Sequence, residues 1–256
     1  MHPGSFIGLM GVQTPQERAD LSRLAPIFSE RSHRLLLGTY ADWWTFHGAR
    51  DRPFLPSRDR LAGICEPDDG AELAVHFTPM WERSLAEQLY DLMSVCPRLS
   101  VLILHAVWPK RDTLAEFRRQ WPSVRLVLWV SEESFMDLAE RTTLVAKRVE
   151  EYARIGLIDS AMFDLAPGEG APLCNDRASM VLRLLQRSGV TLPTGIAGGL
   201  SSERFTPGLI RLVREFDPLS LVVSRHIRRS DRIDPNLARQ FIDRALLAST
   251  RDPLQP

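Results

Sequence analysis

Eight short apolar runs, separated for the most part by longer amphipathic stretches, constrain the fold of this chain more than any other feature. The runs are "FIGLMGV" (6–12), "RLLLGTY" (34–40), "ELAVHF" (72–77), "SVLILHAV" (100–107), "VRLVLWV" (124–130), "DSAMFDL" (159–165), "TGIAGG" (194–199) and "LSLVVS" (219–224). Each is too short for a helix, and most are apolar at both odd and even positions. That pattern suits parallel strands covered on both faces. Between them, "PQERADLSRLAPIFSE", "MWERSLAEQLYDLM", "DTLAEFRRQW", "DRASMVLRLLQRSG" and "DPNLARQFIDRALLAS" carry apolar residues at helical spacing. The stretch 131–156 reads as one long helix or two, ended by Gly156, and Pro207-Gly208 interrupts the penultimate helix near its start.

Strand–helix alternation repeated eight times predicts an α/β fold, a single (β/α)8 TIM barrel over residues 1–256. An open doubly wound sheet is the runner-up, but "LMGVQTP" after the first strand lacks the GxGxxG such folds ordinarily place there. Residues 41–71 form an irregular long loop after strand 2, with little helix beyond "PSRDRLAGI". A connection of that length in a compact domain is usually functional or hides an element.

Charge narrows the partners. Lys and Arg number 32 and so do Asp and Glu, which gives no electrostatic case for nucleic acid. No apolar run reaches the roughly 20 residues of a membrane helix, and the N-terminus lacks the layout of a signal peptide. Cys65, Cys96 and Cys174 are odd in number, widely spaced and without a CxxC pair. The expectation is reduced thiols in a cytoplasmic protein, with neither a disulfide framework nor a structural zinc. His47, His76 and His105 have no ligand spacing, so no metal is expected.

In a barrel of this kind ligands bind where the strands end. Those ends offer Met10, Gln13 and Thr14; Thr39 and Asp42; His76; His105; Ser131 and Glu132; Asp164; Gly198 and Gly199; then Ser224, Arg225 and His226. Two readings fit the glycine pair in "TGIAGGLSSERF": a tight turn, or bare backbone N–H groups cradling an anion, with Arg225 and Arg228 close behind. Asp164 ends an apolar strand, where a carboxylate is costly unless paired, hydrated or used, so it is the leading candidate acid or base. His105 is as readily a core histidine as a ligand-facing one.

Taken in order, these residues resemble phosphoribosylanthranilate isomerase, a barrel enzyme of tryptophan biosynthesis. "AGGLSSERF" is similar to that family's strand-seven signature, "MFDLAPGEG" to its strand-six Asp and Gly-rich loop, "LILHAV" to its fourth strand, and "LMGVQTPQERADL" to its opening strand and helix. "RPFLPSRDRL" resembles the segment carrying a substrate-binding Arg, which places that role on Arg52. The resemblance implies an Amadori-type aldose–ketose isomerase acting on a phosphorylated sugar or sugar-amine without a cofactor, as a monomer or homodimer. Asp164 would be the general acid, and Gly198, Gly199, Ser224 and Arg225 the phosphate site.

The chain departs from the pattern in four places. Met10 stands where the family has the Cys that serves as base, and a thioether has no proton equilibrium, which leaves His105 as a possible substitute. Ser224-Arg225-His226 replaces Ser-Ser-Gly, Val222 replaces an Asp, and 131–156 is longer. A barrel that binds a phosphorylated ligand or partner without isomerising it is therefore the alternative. A third option is a different reaction on the same scaffold, with Trp43, Trp44, His47 and Arg52 of the long loop setting its specificity.

Overall fold

A computed structural model describes residues 5–29, 31–48, 54–66, 70–166 and 171–250. All eight apolar runs are strands. In chain order they are β1 (Phe6–Met10), β2 (Arg34–Asp42), β3 (Glu72–Thr78), β4 (Val101–Leu104), β5 (Arg125–Val130), β6 (Ser160–Asp164), β7 (Thr194–Ala197) and β8 (Ser220–Val223). Every neighbouring pair is parallel, and β1 pairs with β8 to close the barrel.

The helices are α1 (Pro15–Ser22), α2 (Trp43–Phe46), α3 (Arg58–Cys65), α4 (Leu85–Val95), α5 (Arg111–Gln120), α6 (Glu132–Asp137), α7 (Thr142–Arg154), α8 (Asn175–Arg187), α9 (Pro207–Glu215) and α10 (Pro235–Ser249). The stretch 131–156 is thus two helices, separated at Ala139 and Glu140, both at positive φ. Pro207 starts α9 rather than breaking it, because a first-turn proline has no helical N–H to lose and Thr206 caps the end through Leu209 N. The 41–71 connection is less irregular than its composition suggests: Asp42 caps α2 by accepting from Thr45 N, and α3 covers the outside of the sheet. A two-stranded hairpin, β9 (Arg228–Arg229) and β10 (Arg232–Ile233), follows β8 and has no counterpart in the sequence expectations.

Burial splits along the strand period of two. Outward residues such as Leu35, Leu37, Val75, Leu102, Leu104 and Leu128 join the helices in one large apolar layer. Inward residues form a second, separate core of Phe6, Met10, Leu36, Ala74, Val101, Ile103, Val127, Trp129, Met162, Ala197 and Val222. This is the layered side-chain filling that makes such a barrel a solid rather than a pore. Gly38, opposite Met10 in the β1–β2 register, leaves the space that the Met10 thioether fills; any Cβ on Gly38 would overlap it.

The thiol expectation needs correcting. Cys65 ends α3 and Cys96 caps α4, and packing of these consecutive helices brings their Cα atoms to 5.4 Å as a disulfide. The two are 31 residues apart, so local spacing carried no sign of the pair. Cys174 is free and exposed. Among the described residues, no helix is long and apolar enough to cross a membrane.

Candidate active site

The C-terminal ends of the strands open into a cavity of about 690 Å³. Strand parity decides what reaches it. On β2 the inward series Leu36, Gly38 ends in Tyr40; on β5 Val127 and Trp129 lead to Ser131; on β6 Met162 leads to Asp164; on β8 Val222 leads to Ser224. Tyr40, Trp129, Ser131, Asp164 and Ser224 all line the cavity, so the inner core is apolar below and polar at its rim.

Asp164 is half-buried. Burial raises its carboxyl above the ordinary aspartate range, the Ala166 N–H partly offsets this, and the negative charges of Glu133 and Glu132 push the same way as burial. Two carboxylates nearby are treated differently. Glu133, at the start of α6, takes a hydrogen bond from the Ser131 hydroxyl and one from backbone N–H, which together hold it below the usual glutamate range. Glu132 is bound by both oxygens to Arg177, at 2.9 and 3.1 Å. One acid inclined to keep its proton and one carboxylate inclined to lose it therefore share a cavity.

His105 lies one residue past β4, its N–H bonded to Phe77 O at 2.9 Å and its ring in the cavity. Burial lowers its pKa, opposed by Glu133. His76, on β3, sits beneath it with Nε2 3.2 Å from His105 Nδ1.

Gly198 and Gly199 follow β7 at φ of 86° and 65°, a region that favours glycine, and both line the cavity. What comes close to their backbone belongs to the protein itself. A Cβ on Gly198 would overlap the Asp164 carboxylate, and one on Gly199 would overlap the Ala171 carbonyl. The glycine pair thus lets the β6 carboxylate and the loop behind it pack against the end of β7.

Ser224 hydrogen-bonds the Tyr40 phenol, whose pKa burial raises. Arg225 and His226 also line the cavity. Arg228 reaches it from β9: its guanidinium donates to Gly11 O at 2.8 Å and lies 4.8 Å from the Phe54 ring centre. The hairpin holding Arg228 is tied to the first loop through Gln13 to Asp231 O (2.9 Å) and Ile233 N to Glu17 (2.7 Å).

Of the residues singled out in the sequence, Asp164, His105, Gly198, Gly199, Ser224 and Arg225 converge on this cavity. Arg52 lies outside the described residues. Met10 is fully buried in the inner core and does not line the cavity. Trp43 and His47 turn outward: their rings stack at 3.7 Å, and His47 sits 3.5 Å from Asp91 on α4. The long loop contributes Phe54 and Leu55 to the cavity instead. Sequence reading passed over Tyr40, Trp129 and Glu133, and named Arg228 beside Arg225 without the hairpin that carries it into the cavity. Counting alternate positions back from each strand end would have found the first two; Arg228 depends on a hairpin with no apolar signal. Among the described residues, no group of three or more His, Cys, Asp or Glu is arranged to hold a metal ion.

No protein-family model matches the chain, and no curated protein matches it by sequence. Solved structures do resemble it. N-(5'-phosphoribosyl)anthranilate isomerase from Pyrococcus furiosus superposes with a TM-score of 0.64 at 14% identity, covering 94% of this chain and 98% of that one. A phosphoribosyl anthranilate isomerase in complex with reduced 1-(o-carboxyphenylamino)-1-deoxyribulose 5-phosphate gives 0.59 at 13% identity, with the same coverage. A Rubisco-like protein from Rhodopseudomonas palustris gives 0.57 at 11%, covering 97% of this chain and 65% of that one. At these identities the likeness is one of fold: the chain is an eight-stranded parallel barrel built as the phosphoribosylanthranilate isomerases are.

Proposed function

We propose that this barrel is an isomerase that interconverts the aldose and ketose forms of a phosphorylated sugar or sugar-amine. The observation that carries the reading is the half-buried Asp164 carboxyl at the end of β6, held toward its protonated form and set against the Gly198 turn. Such an acid can protonate the ring oxygen of a cyclic aldose phosphate, which opens the ring and leaves C1 electron-poor. Loss of the C2 proton then gives an enol or enolamine, and tautomerisation delivers the ketose. Oxidation at C2 balances reduction at C1 within one molecule, so no redox cofactor takes part.

The phosphate would sit at Gly198, Gly199, Ser224 and Arg225, which line the β7–β8 side of the cavity and could offer it backbone N–H groups and a guanidinium. Arg52 remains our candidate for the far end of the ligand. Met10 cannot take the C2 proton, and the groups on the β4–β5 rim able to do so are His105 and Glu133. The fold neighbour named with a phosphorylated aminoketose supports this substrate class. An N-aryl substrate would place the protein in tryptophan biosynthesis; a plain aldose phosphate would not. We place the protein in the cytoplasm as a monomer or homodimer.

Burial of Met10 favours a second reading, a barrel that binds the phosphorylated ligand but no longer isomerises it. Calorimetric titration with inorganic phosphate and with the reduced aminoketose phosphate, followed by a turnover assay on ribose 5-phosphate and on phosphoribosylanthranilate, separates the two. Binding with turnover supports the isomerase, binding alone supports the second reading, and no binding of either probe overturns both.

A further inference from the structure

On the isomerase reading above, which this inference rests on, the reacting end of the ligand meets His105 and Glu133, and the position of one hydrogen decides between them. His76 is 4% exposed, with Trp129 and Tyr40 ring centres 4.5 and 5.1 Å away. Its Nε2 meets His105 Nδ1 at 3.2 Å, while its own Nδ1 is buried without a partner. Burial keeps His76 well below the usual histidine range and lowers His105 too, so two neutral rings share one hydrogen between them.

There are two ways to arrange it. In the first, His76 Nε2–H donates to His105 Nδ1; His105 then carries its hydrogen on Nε2, and the lone pair of His76 Nδ1 is what stays unpaired. In the second, His105 Nδ1–H donates to His76 Nε2; His76 then buries an orphaned N–H, and His105 offers a bare Nε2 that could act as a base. Three considerations favour the first. Buried N–H groups without an acceptor are among the rarest features of folded proteins. The neutral histidine side chain free in water prefers the Nε2–H form, which both rings adopt only in the first arrangement. The Glu133 carboxylate, on the same rim, acts on His105, and a negative charge favours an N–H over a lone pair on the ring nitrogen that His76 does not engage.

We propose that His76 is a positioning residue that holds His105 as the neutral Nε2–H tautomer, a hydrogen-bond donor facing the cavity rather than a base. Such a donor stabilises the oxygen on which negative charge develops during enolisation. The Glu133 carboxylate is then the group left on this rim to accept the C2 proton.

Ring 15N–1H spectra of histidine-labelled protein at pH 7.5 test the assignment, with His105 identified by the signals lost in H105Q. The expected result is a protonated Nε2 and a bare Nδ1 on His105. H76Q, whose side-chain amide N–H takes the place of the ring N–H, is expected to preserve that state; H76L is expected to release His105 into a mixture of tautomers. Hydrogen on His105 Nδ1 in the unsubstituted protein overturns the proposal, as does an unchanged tautomer in folded H76L. Should H76L fail to fold, the unsubstituted and H76Q spectra decide. Addition of ribose 5-phosphate separates this claim from the reading beneath it. An Nε2–H tautomer whose signals no sugar phosphate moves defeats the substrate class and upholds the tautomer; a ring that responds but carries hydrogen on Nδ1 does the reverse.

Discussion

The mouth of the barrel has two unlike halves. From β4 to β6 it presents His105, Glu132, Glu133 and Asp164; beyond β8 it presents Arg225, His226 and Arg228, with the two glycines of β7 between. On the acidic side the groups are tuned against one another, with Asp164 raised by burial and Glu133 lowered by Ser131. On the basic side, the Arg228 guanidinium is braced by the carbonyls of Gly11 and Asp231, and burial lowers the pKa of both Arg228 and His226. On the proposed reading, proton chemistry and anion binding fall to different strands. On that reading, a ligand with one anionic end would favour one orientation in such a field: phosphate toward β7–β8, reacting carbons toward β4–β6.

The sharpest way to break this division is D164N, which keeps the shape and the acceptor for Ala166 N–H but removes the acid. On the isomerase reading, kcat falls about 1,000-fold, within the usual range for losing a general acid, while affinity for inorganic phosphate is unchanged. Near-normal turnover would remove Asp164 from the chemistry. E133Q is expected to cost about 100-fold in kcat, again with phosphate affinity intact. A loss of phosphate binding in either variant would mean that the two halves are not separable.

Much of the fold was legible because it rests on periodicity, which a single chain displays. The eight runs became eight strands because each is short and most are apolar on both faces, and burial between helices and a filled interior satisfies that. Asp164, His105 and the glycine pair were legible for a related reason, as polar or backbone-permissive residues ending apolar strands. What stayed hidden depends on contacts between distant segments. The Cys65–Cys96 pair arises from helix packing across 31 residues. The hairpin that carries Arg228 into the cavity, tied to the first loop through Gln13 and Glu17, was hidden for the same reason. The meaning of Gly198 and Gly199 also lay outside their own stretch, since the atoms crowding them come from β6 and the loop after it.

That crowding makes the border between the halves testable. G199A puts a β-carbon at a φ of 65° and against the Ala171 carbonyl, so it carries left-handed backbone strain of about 1–3 kcal/mol in addition to a backbone clash. A lower denaturation midpoint with weakened phosphate binding is expected; a midpoint equal to that of the unsubstituted protein would mean the loop yields freely. R225Q probes the basic half alone. Loss of one charge-assisted hydrogen bond is expected to weaken phosphate affinity about tenfold and to flatten its salt dependence, with kcat at saturating substrate nearly unchanged. An equal fall in kcat would place Arg225 in the reaction rather than in binding.

The smallest effect is the most diagnostic of how Asp164 is held. Burial, the first cause of its shift, raises the folded carboxyl above its unfolded value, reinforced by Glu133 and Glu132 and opposed by Ala166 N–H. The sign follows from linkage: the contribution of this group to stability is fully present below the ordinary aspartate range and is lost as pH rises through the raised value. At neutral pH the folded protein thus either keeps a proton that the unfolded chain has released, or holds a charge where burial resists it. Asparagine does not titrate. D164N is therefore expected to be more stable than the unsubstituted protein at pH 7.5, with the gap closing below about pH 4, as read from urea midpoints at the two pH values. A variant that is inactive yet more stable is the mark of a group kept for chemistry at the expense of the fold. Less stability at pH 7.5 would show instead that the ionised carboxylate is held by its neighbours, and the proton transfer assigned to it would have to move elsewhere on the rim.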